Sequence, residues 1–171
     1  MNNADELLDL VDDDDIVIGQ VWRSALTQPP HLWGGNVRAA ELFIMNDNGE
    51  LWVPRRSARK EQWPGGYDMS AAEHVGAGET YEEAIIRGVS EELNIAVRPD
   101  DIEFLGMVQP DAAQNLLMFR AVYKLQRNEP PQFNRADFMD YEWLTPAELH
   151  KRLLDGATAK NTVLGTLELF M

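Results

Sequence analysis

The sequence contains no cysteine, which excludes disulfide bonds, thiolate metal sites and cysteine nucleophiles and favours an intracellular, cytoplasmic location. It also contains no apolar run of the ~18 residues that a membrane-spanning helix needs. The first residues, "MNNADELLDLVDDDD", lack the positive charge that begins a secretory signal. We therefore expect no targeting segment and no association with a membrane.

Basic residues are scarce, because 15 lysines and arginines stand against 29 aspartates and glutamates, which gives a formal net charge of −14. A protein that neutralises the phosphates of a nucleic acid needs a basic surface, so a nucleic-acid partner is not expected. A small anionic ligand then depends on a bound cation or on a local basic patch. One such patch, within six positions, contains Arg55, Arg56, Arg59 and Lys60. By itself this patch is equally consistent with a solvated loop.

The length of 171 residues and the 44% hydrophobic content predict a single domain, residues 1–171, with one core. One helix is predicted in the centre, after the capping pair Thr80 and Glu83, and one late in the chain, after Thr145. The other regular segments read as strands: "IVIGQVW", "AELFIMN", "LWVPRR", a piece within "EQWPGGYDMSAAEHVGAG", "IEFLGMV", "LLMFRAVYKLQ" and "YEWL". This order favours an α+β fold, with helices packed on a mixed sheet, over a doubly wound parallel fold.

The central helix, "TYEEAIIRGVSEELNI", combines an apolar stripe with an unusual group of carboxylates. At ~100° per residue, four aliphatic residues fill one arc that faces the core: Ile85, Ile86, Val89 and Leu93. Glu91 and Glu92 fall on either side of Gly88 in the same projection. A glycine inside a helix costs ~1 kcal/mol relative to alanine, so Gly88 needs an explanation.

The paired carboxylates permit two interpretations. A carboxylate at the edge of a core is costly unless a positive charge meets it, and Mg²⁺ binds one or two carboxylates together with substrate phosphate oxygens. In the simpler interpretation, Glu83, Arg87 and Glu91 form ordinary ion pairs at i,i+4 spacing on a solvated face. The helix pattern alone leaves both open.

The same segment resembles the Nudix box, whose pattern is Gly, five spacers, Glu, seven spacers, Arg-Glu, an aliphatic residue, one spacer, Glu-Glu, one spacer, Gly and an aliphatic residue. The chain aligns with this pattern without a gap over 23 residues. Six of the nine fixed positions match: Glu79, Arg87, Val89, Glu91, Glu92 and Ile95. Three depart, since Glu73 and Asn94 replace glycines and Gly88 replaces a glutamate.

The resemblance extends from about Leu7 to Leu154. The runs "LLDLVDDDDIVIGQVWRS", "NDNGELWVPRRSARKEQWPGGYDMSAAEHVGAGE" and "YEWLTPAEL" are similar to Nudix proteins related to isopentenyl diphosphate isomerase. The resemblance implies a Nudix-type α/β/α sandwich around a mixed β-sheet. It also implies Mg²⁺ or Mn²⁺ as cofactor and the attack of water on a phosphoanhydride bond of a nucleoside di- or triphosphate or a related nucleoside diphosphate derivative.

The family's roles transfer to matching positions only. The resemblance implies that Glu91 and Glu92 bind the metal, with Glu92 also catalytic, that Arg87 orients the carboxylates of the box, and that Glu79 is the conserved glutamate before the helix. The glutamate expected at position 88 is missing. Four acids are candidates to replace it, and the sequence leaves the choice open: Glu79, Glu73, Asp137 and Asp140.

The family context also favours the basic patch as the substrate-binding residues, Arg56 and Arg59 above all. Trp63 and Tyr67 follow the patch and are candidates to stack on a base, although packing explains them equally well. The oligomeric state stays open.

Two other functions compete with hydrolysis. A catalytically decayed nucleotide-binding module is suggested by the three departures in the box, Gly88 most of all. An isoprenoid diphosphate isomerase is disfavoured, because the resemblance implies a cysteine working against a glutamate for that chemistry and this chain has none.

Overall fold

A computed structural model describes residues 5 to 171, so the predicted domain of residues 1–171 includes four residues outside the described part. The strands are β1 (Leu7–Val11), β2 (Val17–Trp22), β3 (Val37–Met45), β4 (Leu51–Arg56), β5 (Ala71–His74), β6 (Ile102–Val108), β7 (Met118–Gln126) and β8 (Phe138–Leu144). The helices are α1 (Tyr81–Leu93), α2 (Pro146–Leu154) and α3 (Val163–Leu167). Across residues 5 to 171, no helix is both long enough and apolar enough to cross a membrane.

Strand β3 forms the centre of the main sheet because its apolar residues are buried on both faces. It pairs in parallel with β7 along its whole length and antiparallel with β5 near its beginning. At its end, Met45 pairs with Leu51 to start the hairpin to β4. The strands follow the order β6, β7, β3, β4, β8, and β5 joins through β3. The sheet is therefore mixed, as predicted.

Alternate side chains of β3 build two separate cores. Leu42 and Ile44 pack with the buried face of α1 on one side of the sheet. Phe43 points the other way and packs with residues of α2 and α3, among them Leu149 and Leu167. Helices thus cover both faces of a mixed sheet, which confirms the predicted α/β/α sandwich.

Helix α1 begins and ends where local chemistry requires it. Thr80 accepts a hydrogen bond from the backbone N–H of Glu83, whose side chain accepts one from the backbone of Thr80, so the predicted capping box is present. The helix ends at Asn94, which takes the left-handed conformation with φ of 54°. Asparagine adopts this conformation more readily than most residues, so it can replace the glycine of the box here.

The buried face of α1 is wider than the predicted stripe. Ala84 and Gly88 are buried together with three of the four predicted residues, whereas Ile86 is only partly buried. The prediction for Ile86 as a full core residue was therefore wrong. Because small residues extend the buried arc, α1 lies close to β5, and position 88 faces that strand.

Two elements were not predicted. Strand β1 pairs antiparallel with β2, and its buried Asp9 accepts a hydrogen bond of 2.9 Å from the backbone N–H of Gly78. A buried aspartate interrupts the apolar pattern that would have marked this strand. Helix α3 has five residues and contains Gly165, so it carries too little periodicity to be recognised, and only one late helix was expected.

A buried ion pair attaches α3 to the centre of the sheet. The guanidinium of Arg120 donates from Nη1 to the carboxylate of Glu41 at 3.3 Å, to the carbonyl of Thr162 at 2.9 Å and to the hydroxyl of Thr166 at 3.1 Å. The side chains of Arg120 and Glu41 are 4% and 2% exposed. The guanidinium of Arg120 thus links the C-terminal part of the chain to both β3 and β7.

Candidate functional site

The space beside the Cα atom of Gly88 is filled by the side chain of a neighbouring residue. A Cβ atom built on Gly88 would overlap Cγ of Glu73 and would lie 3.3 Å from its Cδ and Oε1 atoms. Glu73 comes from β5, where it pairs with Ala40 of the central strand. Its side chain therefore crosses α1 in the space that any side chain at position 88 would need.

Arg87 connects three carboxylates and a carbonyl on one side of this crossing. Its Nε and Nη2 atoms donate to the two oxygens of Glu79 at 3.0 and 3.1 Å, and Nη2 also donates to the carbonyl of His74 at 3.1 Å. Nη1 donates to Glu73 Oε2 at 3.3 Å and lies 3.7 Å from Glu91 Oε2. This guanidinium therefore contacts both Glu73 and Glu79, and its role in orienting the carboxylates of the box stays a prediction.

Glu79 is held as an anion by its partners. Burial works to raise its pKa, but the hydrogen bonds from Arg87 and from the backbone of Gly76 outweigh burial and lower the pKa of Glu79. Neither Arg87 nor Glu79 lines the central cavity described below; they border a separate, open depression with Glu6 and Leu7. They are placed to position other groups rather than to touch a ligand in the cavity.

Glu73 and Glu92 form a carboxylate pair that lacks sufficient positive charge. Burial raises the pKa of Glu73, and this effect exceeds the opposing attraction of Arg87. Burial, followed by repulsion from Glu73, Asp68 and Asp137, raises the pKa of Glu92 well above its usual value. The two carboxyl groups lie within hydrogen-bonding distance of each other. A pair of this kind gains stability from any cation that enters between them.

Glu91 lies on a different side of α1 from Glu92. Its side chain is 62% exposed, and its contact with Arg87 is 3.7 Å long. Between residues 5 and 171, no three histidines or acidic residues are already grouped in metal-binding geometry. The site thus offers a buried pair and a more exposed neighbour, and the role of Glu91 as a metal ligand stays a prediction.

A cavity of about 500 Å³ lies beside the carboxylate pair. Glu73 and Glu92 line one part of its wall, and Arg56, Lys60 and Lys160 line another. Trp63, Asn115 and Asn161 are also in the wall, so the cavity offers an aromatic ring and amides in addition to charges of both signs.

The cationic wall is held in place by two aspartates. Arg56 Nη1 lies 2.5 Å from Asp68 Oδ2, and Lys60 Nζ lies 2.8 Å from Asp137 Oδ1. Lys160 Nζ is 3.9 Å from Asp68 Oδ1. These cations are pre-positioned by partial pairing, so little side-chain ordering is needed when an anion approaches.

The basic patch is divided by the structure. Arg56 and Lys60 reach the cavity, whereas Arg55 and Arg59 do not line it. The guanidinium of Arg55 lies 5.1 Å from the centre of the Tyr67 ring and donates to the carbonyl of Gly65. Arg59 is exposed. Alternation along β4 explains the separation of Arg55 from Arg56, since neighbouring strand residues point to opposite faces.

Of the remaining predicted site residues, some line the cavity and others do not. Asp137 lines the cavity but is held by Lys60, and Asp140 is exposed outside it. Trp63 lines the cavity, whereas Tyr67 is buried in the second core and hydrogen-bonds to Glu142.

His74 lines the cavity as a neutral group. Burial, assisted by the cations Arg23, Lys160 and Arg87, lowers the pKa of His74 to about 3. It therefore adds no positive charge to the site at neutral pH.

Sequence reasoning missed Lys160 and Asp68. Lys160 is isolated in the sequence and comes to the cavity only because its backbone N–H bonds to the carbonyl of Tyr67 at 2.9 Å. Asp68 is 4% exposed, and its burial, which the sequence does not show, is what distinguishes it from the many other aspartates of the chain.

Comparison with known proteins agrees with this geometry. The model of the NUDIX domain matches residues 35 to 164. A Nudix hydrolase of Deinococcus radiodurans is 40% identical over 158 residues, which cover 92% of this chain and 89% of that protein. A crystal structure of a protein from the same organism, DR0079, superposes with a TM-score of 0.81 at 36% identity, over 95% of this chain and 98% of the other.

The isomerase branch is also represented among the relatives. An isopentenyl-diphosphate Delta-isomerase of Paenarthrobacter aurescens is 29% identical over 176 residues, which cover 95% of this chain and 89% of that protein. The resemblance predicted from the box and from the flanking runs is thereby confirmed. The fold, the arrangement of the box residues and these relatives together establish that the chain belongs to the Nudix family.

Proposed function

We propose that the chain is a divalent-metal-dependent hydrolase that cleaves a phosphoanhydride bond in a nucleoside di- or triphosphate or a related nucleoside diphosphate derivative. The observation that carries this proposal is the cavity in which Glu73 and Glu92 face a wall of Arg56, Lys60 and Lys160. A linear phosphate chain is an anion that can meet the cations along its length and share a metal with the carboxylates at one end. Membership of a family whose relative is named a hydrolase supports the same reaction class.

The residues present fit Mg²⁺ or Mn²⁺. Glu92 receives no hydrogen bond from an N–H or hydroxyl group of residues 5 to 171, and its neighbours are mostly acids. Carboxylate oxygens are the hard ligands that Mg²⁺ prefers, and one or two of them suffice when phosphate and water complete the shell. When bound, the metal supplies neutralisation of the diphosphate and a lowered pKa for a bound water.

The chain's own residues account for the other requirements of the reaction. Arg56, Lys60 and Lys160 bind and orient the phosphates, which reduces the entropic part of the barrier. Arg87 and Glu79 hold Glu73 and the end of β5 in place. Glu92, besides holding the metal, is our candidate for the residue that accepts a proton from the attacking water. Trp63 and the amides of Asn115 and Asn161 offer contacts for a base.

The first test is a panel of nucleoside di- and triphosphates with Mg²⁺ or Mn²⁺ at alkaline pH. We expect phosphate or pyrophosphate release that stops when the metal is removed by a chelator. No release from any nucleotide with either metal would refute hydrolysis. A nucleotide that binds in calorimetry and is recovered intact would then support the binding-only module.

A second prediction compares Lys60, which lines the cavity, with Arg59, which does not. We expect Lys60→Met to raise the KM for the nucleotide about tenfold, since a charge-assisted hydrogen bond contributes ~1.5–3 kcal/mol. Arg59→Met removes the same charge from the same loop, but outside the cavity, and we expect a KM within about twofold of the wild type by the weakness of exposed charges. Initial-rate kinetics on both variants distinguish the two, and equal effects would show that the whole patch acts through long-range attraction.

A further inference from the structure

Two departures from the Nudix box are reciprocal and meet in space. The box has glycine at position 73 and glutamate at position 88, and this chain has the reverse. The two residues are 15 positions apart in sequence, yet the side chain of Glu73 fills the volume next to the Cα atom of Gly88. Relative to the box pattern, the helix lacks a carboxylate at the place where the strand supplies one.

We propose that Glu73, from β5, supplies the metal-binding carboxylate that α1 lacks at position 88, and that Gly88 is a glycine because this side chain must pass over it. The inference rests on the proposed metal-dependent function. It assigns to one strand residue a role that the box pattern places on the helix.

The environment of Glu73 favours this role. Its side chain is 12% exposed, it lines the cavity, and its Oε2 atom is oriented by Nη1 of Arg87 at 3.3 Å. Glu92 lies beside it in the same wall, and the two carboxyl groups are within hydrogen-bonding distance of each other. Two carboxyl groups this close can both be ionised only where a cation offsets their repulsion, and two carboxylates are a typical protein contribution to a Mg²⁺ site.

The other three candidates for the missing carboxylate are less suitable. Both oxygens of Glu79 accept hydrogen bonds from Arg87, and Oε2 accepts another from the backbone N–H of Gly76 at 2.8 Å. Asp137 is held by Lys60 at 2.8 Å, and Asp140 lies outside the cavity. Glu73 alone among the four lies next to Glu92 and over position 88.

The test compares the wild type with Glu73→Gly, Gly88→Glu and the double exchange of both residues. Binding of Mn²⁺ alone is measured by electron paramagnetic resonance without nucleotide, and the melting temperature is measured in parallel. We expect Glu73→Gly to bind Mn²⁺ about tenfold or more weakly, in the range typical for metal sites that lose a supporting group. Gly88→Glu should lower the melting temperature, because its side chain meets Glu73. The double exchange should recover both Mn²⁺ affinity and melting temperature.

A second pair of variants tests the contact itself without any metal. Gly88→Ala should lower the melting temperature in the wild type, where its Cβ meets Glu73, and raise it in the Glu73→Gly background, where alanine is simply the better helix former. Glu73→Gln keeps the side chain in place while it removes the charge. It therefore measures the loss of the ligand if Glu73→Gly does not fold.

The outcomes separate this inference from the proposed function. Glu73→Gln that binds Mn²⁺ as tightly as the wild type, or a folded double exchange that does not regain Mn²⁺ binding, overturns the inference. A wild type that binds no Mn²⁺ also overturns it. If Mn²⁺ binding is lost in Glu73→Gly and regained in the double exchange, but no nucleotide is hydrolysed, the inference is supported and only the proposed hydrolysis is refuted.

Discussion

Glu92→Gln is expected to reduce metal-supported hydrolysis about 100-fold or more, the range for loss of a group that acts in proton transfer or charge stabilisation. The same substitution is expected to raise the melting temperature of the metal-free protein by roughly 2–4 °C, because removal of a poorly compensated charge contributes ~1 kcal/mol. Kinetics with Mg²⁺ and thermal unfolding without metal measure the two effects on one sample. Activity and stability thus change in opposite directions at this position.

The sign of the stability effect depends on pH. Burial first, and Glu73, Asp68 and Asp137 next, raise the pKa of Glu92 above its value in the unfolded chain. The folded protein therefore loses stability as the pH rises above the pKa of an ordinary, solvated glutamate. A neutral glutamine avoids this loss. We expect the gain from Glu92→Gln to be absent at acidic pH and to grow towards alkaline pH.

Glu91→Gln, one residue earlier on the same helix, is the matched control for the effect on stability. Its side chain is 62% exposed, so we expect no change in the melting temperature. If Glu91 binds metal, as the box resemblance predicts, hydrolysis falls in this variant too. Hydrolysis that survives both substitutions would show that the metal assignment is wrong even though the family is right.

Arg87→Lys is expected to destabilise the protein by about 2 kcal/mol, although it preserves the charge. Lysine cannot reproduce the planar fork that bonds both oxygens of Glu79 and reaches the carbonyl of His74. We expect a decrease in melting temperature of roughly 4–8 °C. Turnover should fall as well, because Glu73 loses the group that orients its Oε2 atom.

This variant also has a distinctive pH dependence. Although burial opposes it, the hydrogen bonds from Arg87 and Gly76 lower the pKa of Glu79 below that in the unfolded chain. Glu79 therefore stabilises the folded wild type above the usual glutamate pKa, and this contribution is lost as the pH falls through the lowered pKa. Chemical denaturation at several pH values should show a smaller acid-dependent loss in Arg87→Lys.

Arg98→Lys serves as the comparison for Arg87→Lys. Arg98 also binds a carboxylate, that of Asp101, but its side chain is 82% exposed. An exposed pair contributes ~0–1 kcal/mol, so we expect little change. Equal effects of the two substitutions would mean that Arg87 forms only a surface ion pair, and the positioning role would have to be abandoned.

The sequence was sufficient to predict those features that depend on residues only a few positions apart. The capping boxes at Thr80 and Thr145 appear in the structure as predicted, since each depends on residues three positions apart. The hairpin of β3 and β4 was equally accessible, because the Asn48-Gly49 pair specifies its turn. The box itself was recognisable because its residues lie close together in the sequence, from β5 through α1 to Ile95.

Contacts between distant segments were beyond the reach of sequence patterns. Glu73 was one of four candidates, and the contact of its side chain with Gly88 of α1 distinguishes it from the other three. Lys160 reaches the cavity through a backbone contact with Tyr67, which no local pattern encodes. Arg55 could not be separated from Arg56 without the direction in which β4 presents each side chain, and Arg59 could not be separated from Lys60 without the path of the loop after β4.

The ion pair of Arg120 with Glu41 links the evolution of two distant parts of the chain. Glu41 and Thr162 line the cavity, and Arg120 donates hydrogen bonds to both. Replacement of one partner alone would leave a charge buried without compensation, which costs ~3–5 kcal/mol. Glu41 and Arg120 are therefore expected to change together, and we expect these two positions to covary among relatives.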